Sequence, residues 1–207
     1  MDCGSDAACS DDSLKAPSCA ADEQEILIQA ARESIVAAIH GQPTPPQTPD
    51  FLPDRLRQPA ATFVTLRLKG KLRGCVGNLI ARDPLYYSVT NNAAGAALRD
   101  SRFGPVTLDE VLVLKIHISV LSPLIPVQFS SPEELLSQLN PGKDGVVLRR
   151  SGQVATYLPQ VWSTITDKQT FLESLSQKAG LKAQAWTERD AEILLYRVFE
   201  FGEAEDV

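Results

Sequence analysis

Histidine is scarce in this sequence: there are two, His40 and His117, among 207 residues. Any cysteine-based catalyst here has only those two imidazoles to draw on as a base. Cysteine is scarce as well. Three of the four, Cys3, Cys9 and Cys19, sit in a polar N-terminal stretch. Their spacing lacks the close pairs of a zinc site, and the sequence points to no metal. Positive charge is in deficit, with 20 Lys and Arg against 26 Asp and Glu, a net charge of −6. That balance argues against a non-specific nucleic-acid binder, which needs clustered cations to displace counterions from phosphates. It argues equally against a polybasic membrane anchor. No apolar run reaches the ~18 to 20 residues that span a bilayer. The opening residues are acidic and polar, unlike a secretory signal, so a cytoplasmic protein is expected, and a disulfide framework is not. Nucleophile-elbow, Walker, Rossmann and zinc-protease signatures are all missing.

What is present is enough apolar material, 43% of the chain, for one ordinary domain or two small intertwined lobes. Residues 1–21 read as a disordered acidic leader and residues 22–207 as the folded part. Asp22, with Glu25 three residues on, predicts a helix start. Ile26, Leu27, Ala30, Ala31, Ser34, Ile35, Ala38 and Ile39 recur at helical spacing up to Gly41. Pro43, Pro45, Pro46, Pro49, Pro53 and Pro59 then impose an extended connector. Residues 62–68 alternate as a strand, Lys69-Gly70 turns the chain, and residues 71–79 return. Asp83 and Pro84 open a helix that carries Ala93, Ala94, Gly95, Ala96 and Ala97. Thr107 with Glu110 caps a short helix, and residues 113–121 read as a strand with Leu114, Ile116, Ile118 and Val120 inward. Ser131-Pro132 opens a further helix, residues 145–158 form a hairpin about Ser151-Gly152, and Asp167 caps a helix ending at Gly180. Residues 193–201 read as a last strand. Helices and hairpins mix without regular strand-helix-strand alternation, the pattern of an α+β fold with mainly antiparallel sheet and flanking helices.

One motif stands out, Leu72-Arg73-Gly74-Cys75-Val76-Gly77 on the return strand. Two glycines beside a cysteine in a strand need a reason, because glycine costs chain entropy and packs nothing. Simple alternation puts Arg73, Cys75 and Gly77 on one face. Three readings stay open. Arg73 would favour the thiolate of Cys75 and make it a nucleophile. Alternatively, Arg73 and the exposed amides would bind a small anion, a carboxylate or phosphate. Or the glycines make room for the Ala-rich helix, and Cys75 is a small inert core residue. His117 lies on the polar face of its strand and would reach Cys75 if the two strands pair.

The segment Leu72-Arg73-Gly74-Cys75-Val76-Gly77-Asn78-Leu79 resembles the signature of the AMMECR domain family, whose prokaryotic branch is called AmmeMemoRadiSam system protein A. Four further blocks match in order: Ala97-Leu98-Arg99-Asp100-Ser101-Arg102-Phe103, Ile118-Ser119-Val120-Leu121-Ser122-Pro123, Ala155-Thr156-Tyr157-Leu158-Pro159-Gln160-Val161-Trp162, and Phe171-Leu172 through Lys178-Ala179-Gly180-Leu181. The resemblance spans roughly residues 23–201. It implies an α+β fold with a larger and a smaller lobe, and an association with a Memo-type protein and a radical SAM protein. It names neither a reaction nor a cofactor.

Within the matched blocks the polar groups that packing does not readily explain are Arg73 with Cys75, then Asp100, Ser101 and Arg102, and Tyr157. The Asp100–Arg102 pair would either staple its loop or serve the site. The Tyr157 hydroxyl, half buried, needs a partner. Two functions follow. One is a substrate-handling component, with Cys75, Arg73 and His117 in the chemistry and Gly74, Gly77, Asp100, Ser101, Arg102 and Tyr157 around the substrate. The other is a non-catalytic adaptor presenting the same groove to a partner protein.

Overall fold

The computed structural model describes residue 14, residues 17–42 and residues 51–204. Cys3, Cys9, Pro43, Pro45, Pro46 and Pro49 lie outside them, as does most of the stretch expected to be disordered. Residues 17–20 are placed, and Cys19 is buried with its thiol pKa pushed up, chiefly by burial. No helix among the described residues is long and apolar enough to cross a membrane. The chain forms an α+β fold with two four-stranded antiparallel sheets, one in each of two compact units.

The first unit comprises Pro17–Leu121 and the chain from Phe199 onward. It begins with α1 (Ala21–Ile39), a one-turn α2 (Asp54–Arg57), and the hairpin β1 (Ala61–Leu68) and β2 (Lys71–Gly77). Then come α3 (Leu85–Leu98), α4 (Leu108–Val111) and β3 (Lys115–Leu121). The last strand of the chain, β8 (Val198–Gly202), completes a sheet in the order β2-β1-β3-β8. Leu27, Ala31 and Ile35 of α1 and Val89 and Ala93 of α3 are sealed against Val64, Leu66, Ile116 and Ile118 of the sheet. Each such Leu, Ile or Val contributes about 1.5–3 kcal/mol by burial.

The second unit, Ser122–Val198, holds β4 (Ile125–Pro126), α5 (Pro132–Gln138), β5 (Gly145–Arg150) and β6 (Gln153–Tyr157). It continues through α6 (Lys168–Lys178) to β7 (Glu192–Tyr196), with sheet order β4-β7-β5-β6. Its core is aromatic: the Trp162 and Phe171 rings stack with centroids 3.6 Å apart. Asp144, fully buried, anchors the unit. One carboxylate oxygen accepts from the Asn140 backbone N–H at 2.6 Å, the other lies 3.0 Å from Arg197 Nε, and the Asp144 carbonyl accepts from Trp162 Nε1.

Local signals predict most boundaries, and the departures have local causes. α1 starts at Ala21 because Glu23, not Glu25, folds back to accept the N–H of Ala20, so Asp22 is no cap. Between Pro53 and Pro59 the proline-free residues close one helical turn, α2, inside the expected connector. Pro84 rather than Asp83 precedes α3, and the Asp83 carbonyl accepts instead from the N–H of Ala60. The single strand expected over residues 193–201 breaks at Arg197 into β7 and β8, which join different sheets. At that break the Arg197 N–H donates to Ser122 Oγ, and the Ser122 N–H donates to the Arg197 carbonyl.

Removing Asp144 would strand the half-buried guanidinium of Arg197 and open a buried polar cavity. Asp144→Ala is expected to lower stability by about 3–5 kcal/mol, read from the chemical denaturation midpoint. A loss under about 1 kcal/mol would show that this ion pair behaves like a surface one.

Candidate functional site

The motif strand β2 is the edge of its sheet, and it is not regular. Leu66 faces Gly74 while Arg67 faces Leu72, so Arg73 is the extra residue of a bulge. The bulge corrects the expected alternation. Leu72, opposite Arg67, shares a side of the sheet with Cys75, opposite Thr65, whereas Arg73 leaves the ladder sideways.

Arg73 therefore does not flank the thiol. Its Nε and Nη2 grip both carboxylate oxygens of Glu110 at 2.7 and 3.0 Å, and Nη1 and Nη2 donate to the carbonyls of Gly104 and Pro105. Four donations from one planar cation leave little for an anion. Glu110 does double duty, because it also closes the capping box of α4 by accepting from the Thr107 N–H. These bonds, Arg73 first, lower its pKa from 4.5 to about 2. The loop over residues 100–105 is thus strapped along the outer edge of β2. Asp100 is its second fastening: one carboxylate oxygen accepts the backbone N–H of Cys75 at 2.8 Å. Arg102 binds the same carboxylate through Nε and Nη2 at 2.9 and 2.7 Å. Chiefly because of Arg102, the Asp100 carboxyl is held well below the usual carboxylate range. The Arg102 pKa is raised, first by its bond to Asp100 and further by the fields of Asp100 and Cys75. The exposed cation beside Cys75 is therefore Arg102, at 56% side-chain exposure, while Arg73 is at 15%. Ser101 lies exposed in the turn between Asp100 and Arg102.

Both glycines are steric necessities. A Cβ on Gly74 would sit 2.1 Å from the Ala96 carbonyl oxygen of α3, so the glycine does make room for the Ala-rich helix. A Cβ on Gly77 would fall within 2.3 Å of the Phe63 ring. Asn78, at the end of the signature, joins a buried polar cluster: its Oδ1 accepts from Asn92 Nδ2 at 2.8 Å and from Ser88 Oγ at 3.1 Å, beside Thr62. These bonds engage the Asn78 carbonyl oxygen, the Asn92 amide nitrogen and the Ser88 and Thr62 hydroxyls, as burial demands.

Cys75 is the motif residue left for chemistry. It is half buried, and its sulfur accepts a hydrogen bond from Thr65 Oγ1 at 3.3 Å. His117 faces Thr65 from the other side, so Cys75, Thr65 and His117 form one row across three strands. β2 and β3 do not pair, and this corrects the expected contact. Two strand spacings, about 10 Å, separate the backbones of Cys75 and His117, with Thr65 between. Tyr157 belongs to the second unit, where its hydroxyl pairs with Ser174 Oγ at 2.9 Å and its ring lies edge-on to Phe171 with Lys178 Nζ over it. Among the described residues, no group of three or more His, Cys, Asp or Glu side chains gathers to hold a metal ion. Two partners escaped sequence reading. Thr65 carries no signal of its own, and Glu110 was legible only as a helix cap.

A model of the AMMECR1 family matches residues 28–201. A protein of Methanothermobacter thermautotrophicus is 36% identical over 179 residues, covering 85% of this chain and 91% of its own. A protein of Nanoarchaeum equitans is 30% identical, with 84% and 98% covered. The fold is similar to the crystal structure of an uncharacterised protein from Pyrococcus horikoshii, with a TM-score of 0.79 at 30% identity, covering 86% of this chain and 90% of that one.

Two outcomes are expected. Gly74→Ala must push α3 away from β2 and should cost about 1–3 kcal/mol in denaturation, whereas a neutral result would mean the helix yields freely. Glu110 has a depressed folded pKa, so its stabilisation is present above 4.5 and drains away as pH falls toward about 2. Glu110→Gln should therefore weaken the protein at pH 7 and flatten the loss of stability between those pH values, as followed by urea midpoints. A parallel acid limb in both proteins would remove Glu110 as its source.

Proposed function

We propose, from the premise that the chain belongs to the AMMECR1 family, that it is a substrate-handling component of a modification system that also contains a Memo-type protein and a radical SAM protein. Cys75 is the reacting thiol in this reading, acting as nucleophile or carrier toward an electrophilic group. One observation carries it: Arg73, Gly74, Gly77 and Asn78 each have a packing or fastening task, and Cys75 is the motif's one nucleophilic side chain, left half-exposed on the open side of the sheet beside apolar Leu72. Arg73 and Asp100 are positioning residues. They hold the strand and the Cys75 amide, while Arg102 supplies the positive field at the thiol. Thr65 orients the sulfur with its hydroxyl, and His117 reaches Cys75 only through the intervening Thr65 or a solvent bridge.

A second reading, a non-catalytic adaptor, draws on a different feature. Leu108, Leu112 and Val113, on α4 and just beyond it, are exposed at 42%, 84% and 54%. Such contiguous apolar exposure suits a protein partner, and Arg73 would then merely shape the adjoining loop.

Alkylation of the folded, full-length protein, read peptide by peptide, separates the two. Cys75 is expected to label at least tenfold faster than buried Cys19, and Cys75→Ala to abolish the output of the pathway in cells while leaving the fold intact. Normal output from Cys75→Ala, with binding to the purified partners lost in Leu112→Glu, would sink the thiol reading and establish the adaptor.

A further inference from the structure

The straps on β2 stop partway along its outer edge. Cys75 faces Thr65, yet its N–H points outward to Asp100, so this pair shares no ladder bonds. The alternation then runs on. Val76 pairs inward with Val64, Gly77 turns its N–H and carbonyl outward, and the Asn78 N–H donates inward to the Thr62 carbonyl. No strand lies beyond β2 in its sheet. Among the described residues, nothing takes the Cys75 carbonyl, the Gly77 N–H or the Gly77 carbonyl. Both residues are part-exposed. Natural sheets blunt their edges. This one is blunted by Arg73 and Asp100 and then left open for one acceptor–donor–acceptor row beside the thiol.

From this row we infer that β2 binds an extended segment of a protein substrate, paired as an added parallel strand along Cys75–Gly77. The open groups stand in the order a parallel neighbour requires. The segment residue opposite Val76 donates its N–H to the Cys75 carbonyl and accepts from the Gly77 N–H. The residue two further on donates to the Gly77 carbonyl. An antiparallel segment would set a carbonyl against the Asp100 carboxylate, which already holds the Cys75 N–H. A parallel segment that begins opposite Cys75 points no carbonyl there. Neighbouring strands lie about 4.8 Å apart, so the first side chain of the segment stands within reach of the Cys75 sulfur, on the same side of the sheet. The second falls on the side of Val76, which packs toward Gly95 of α3. The third stands beside Gly77, where the Phe63 ring fills the space a side chain would take. An aromatic third residue suits that place. That the segment is a substrate rests on the reading of Cys75 as the reacting thiol, whereas the pairing itself needs only the backbone.

The test is a residue-resolved NMR titration of the full chain with the capped peptide acetyl-Ala-Val-Tyr-Thr-amide. Saturable shifts centred on residues 75–77 are expected. Methylating the backbone nitrogen of the peptide's Val or Thr removes a pairing donor and should weaken binding about tenfold or more, whereas methylating that of its Tyr, which points away, should change it less than about threefold. A nitroxide on the peptide's N-terminus should broaden residues 100–102 more than residues 78–80, and one on its C-terminus the reverse. Cys75→Ala should bind the peptide as the parent does. If that variant also keeps the pathway's output, the thiol reading falls and the added strand stands. Four results overturn the inference. One is no saturable shift by about 10 mM peptide, tenfold beyond a Kd of about 1 mM. The second is equal weakening, or none, from all three methylations. The third is broadening in the opposite order. The last is a shift of residues 75–77 on dilution without peptide, which would make a second copy of the chain the occupant.

Discussion

A strand at the edge of a sheet carries a row of backbone groups with no strand to pair with, and leaving them unmet invites either a stability loss or a foreign strand. β2 is such a strand, and its outer side up to the Cys75 amide is closed by side chains of opposite charge. Asp100 takes the Cys75 amide, and Arg73, thrown sideways by the bulge, takes two loop carbonyls and Glu110. Charge-assisted bonds of this kind are roughly twice as strong as neutral ones. They fix the strand from outside while Gly74 lets α3 press on it from within. The position of the Cys75 sulfur is the resultant of those constraints.

The signature therefore separates into fastening and chemistry. Arginine beside cysteine in a sequence suggests a cation beside a thiol, yet here the adjacent arginine is the fastener. The cation in the field of Cys75 comes from Arg102, two residues beyond the other fastener. A shared carboxylate, Asp100, couples the two tasks: the same group that pins the Cys75 amide orients Arg102. Any change at Asp100 would disturb the strand and its electrostatics together.

Features set within a few residues were legible in the sequence. The Lys69-Gly70 turn, with both residues at positive φ, the Thr107–Glu110 box, the Ser131 and Asp167 caps and the Ser151-Gly152 turn all stand where local chemistry places them. Features set by distant partners were not. The bulge at Arg73 follows from what Glu110 and the loop over residues 100–105 demand, and it reverses which neighbour shares a side with Cys75. The order β2-β1-β3 keeps His117 one strand away from the thiol, and strand order is a non-local property. The break at Arg197 was hidden because residues 193–201 are mostly aliphatic and aromatic, as one continuous strand would be. The buried carboxylate of Asp144 and the paired bonds to Ser122 hold Arg197 at the break, and both partners are distant in sequence.

The placement of β8 bears on how the protein is made. All the strands and helices of the second unit lie within one stretch, Ser122–Val198, although Leu14 also packs on its core. The first unit waits for residues 198–202 to complete a sheet whose other strands end at residue 121. During synthesis β3 emerges long before its outer neighbour, and its edge stays open while some eighty residues follow. Closure over so large a separation is slow, and an open edge is what a chaperone or another nascent chain would find. The sheet that holds Cys75 is begun first and finished last.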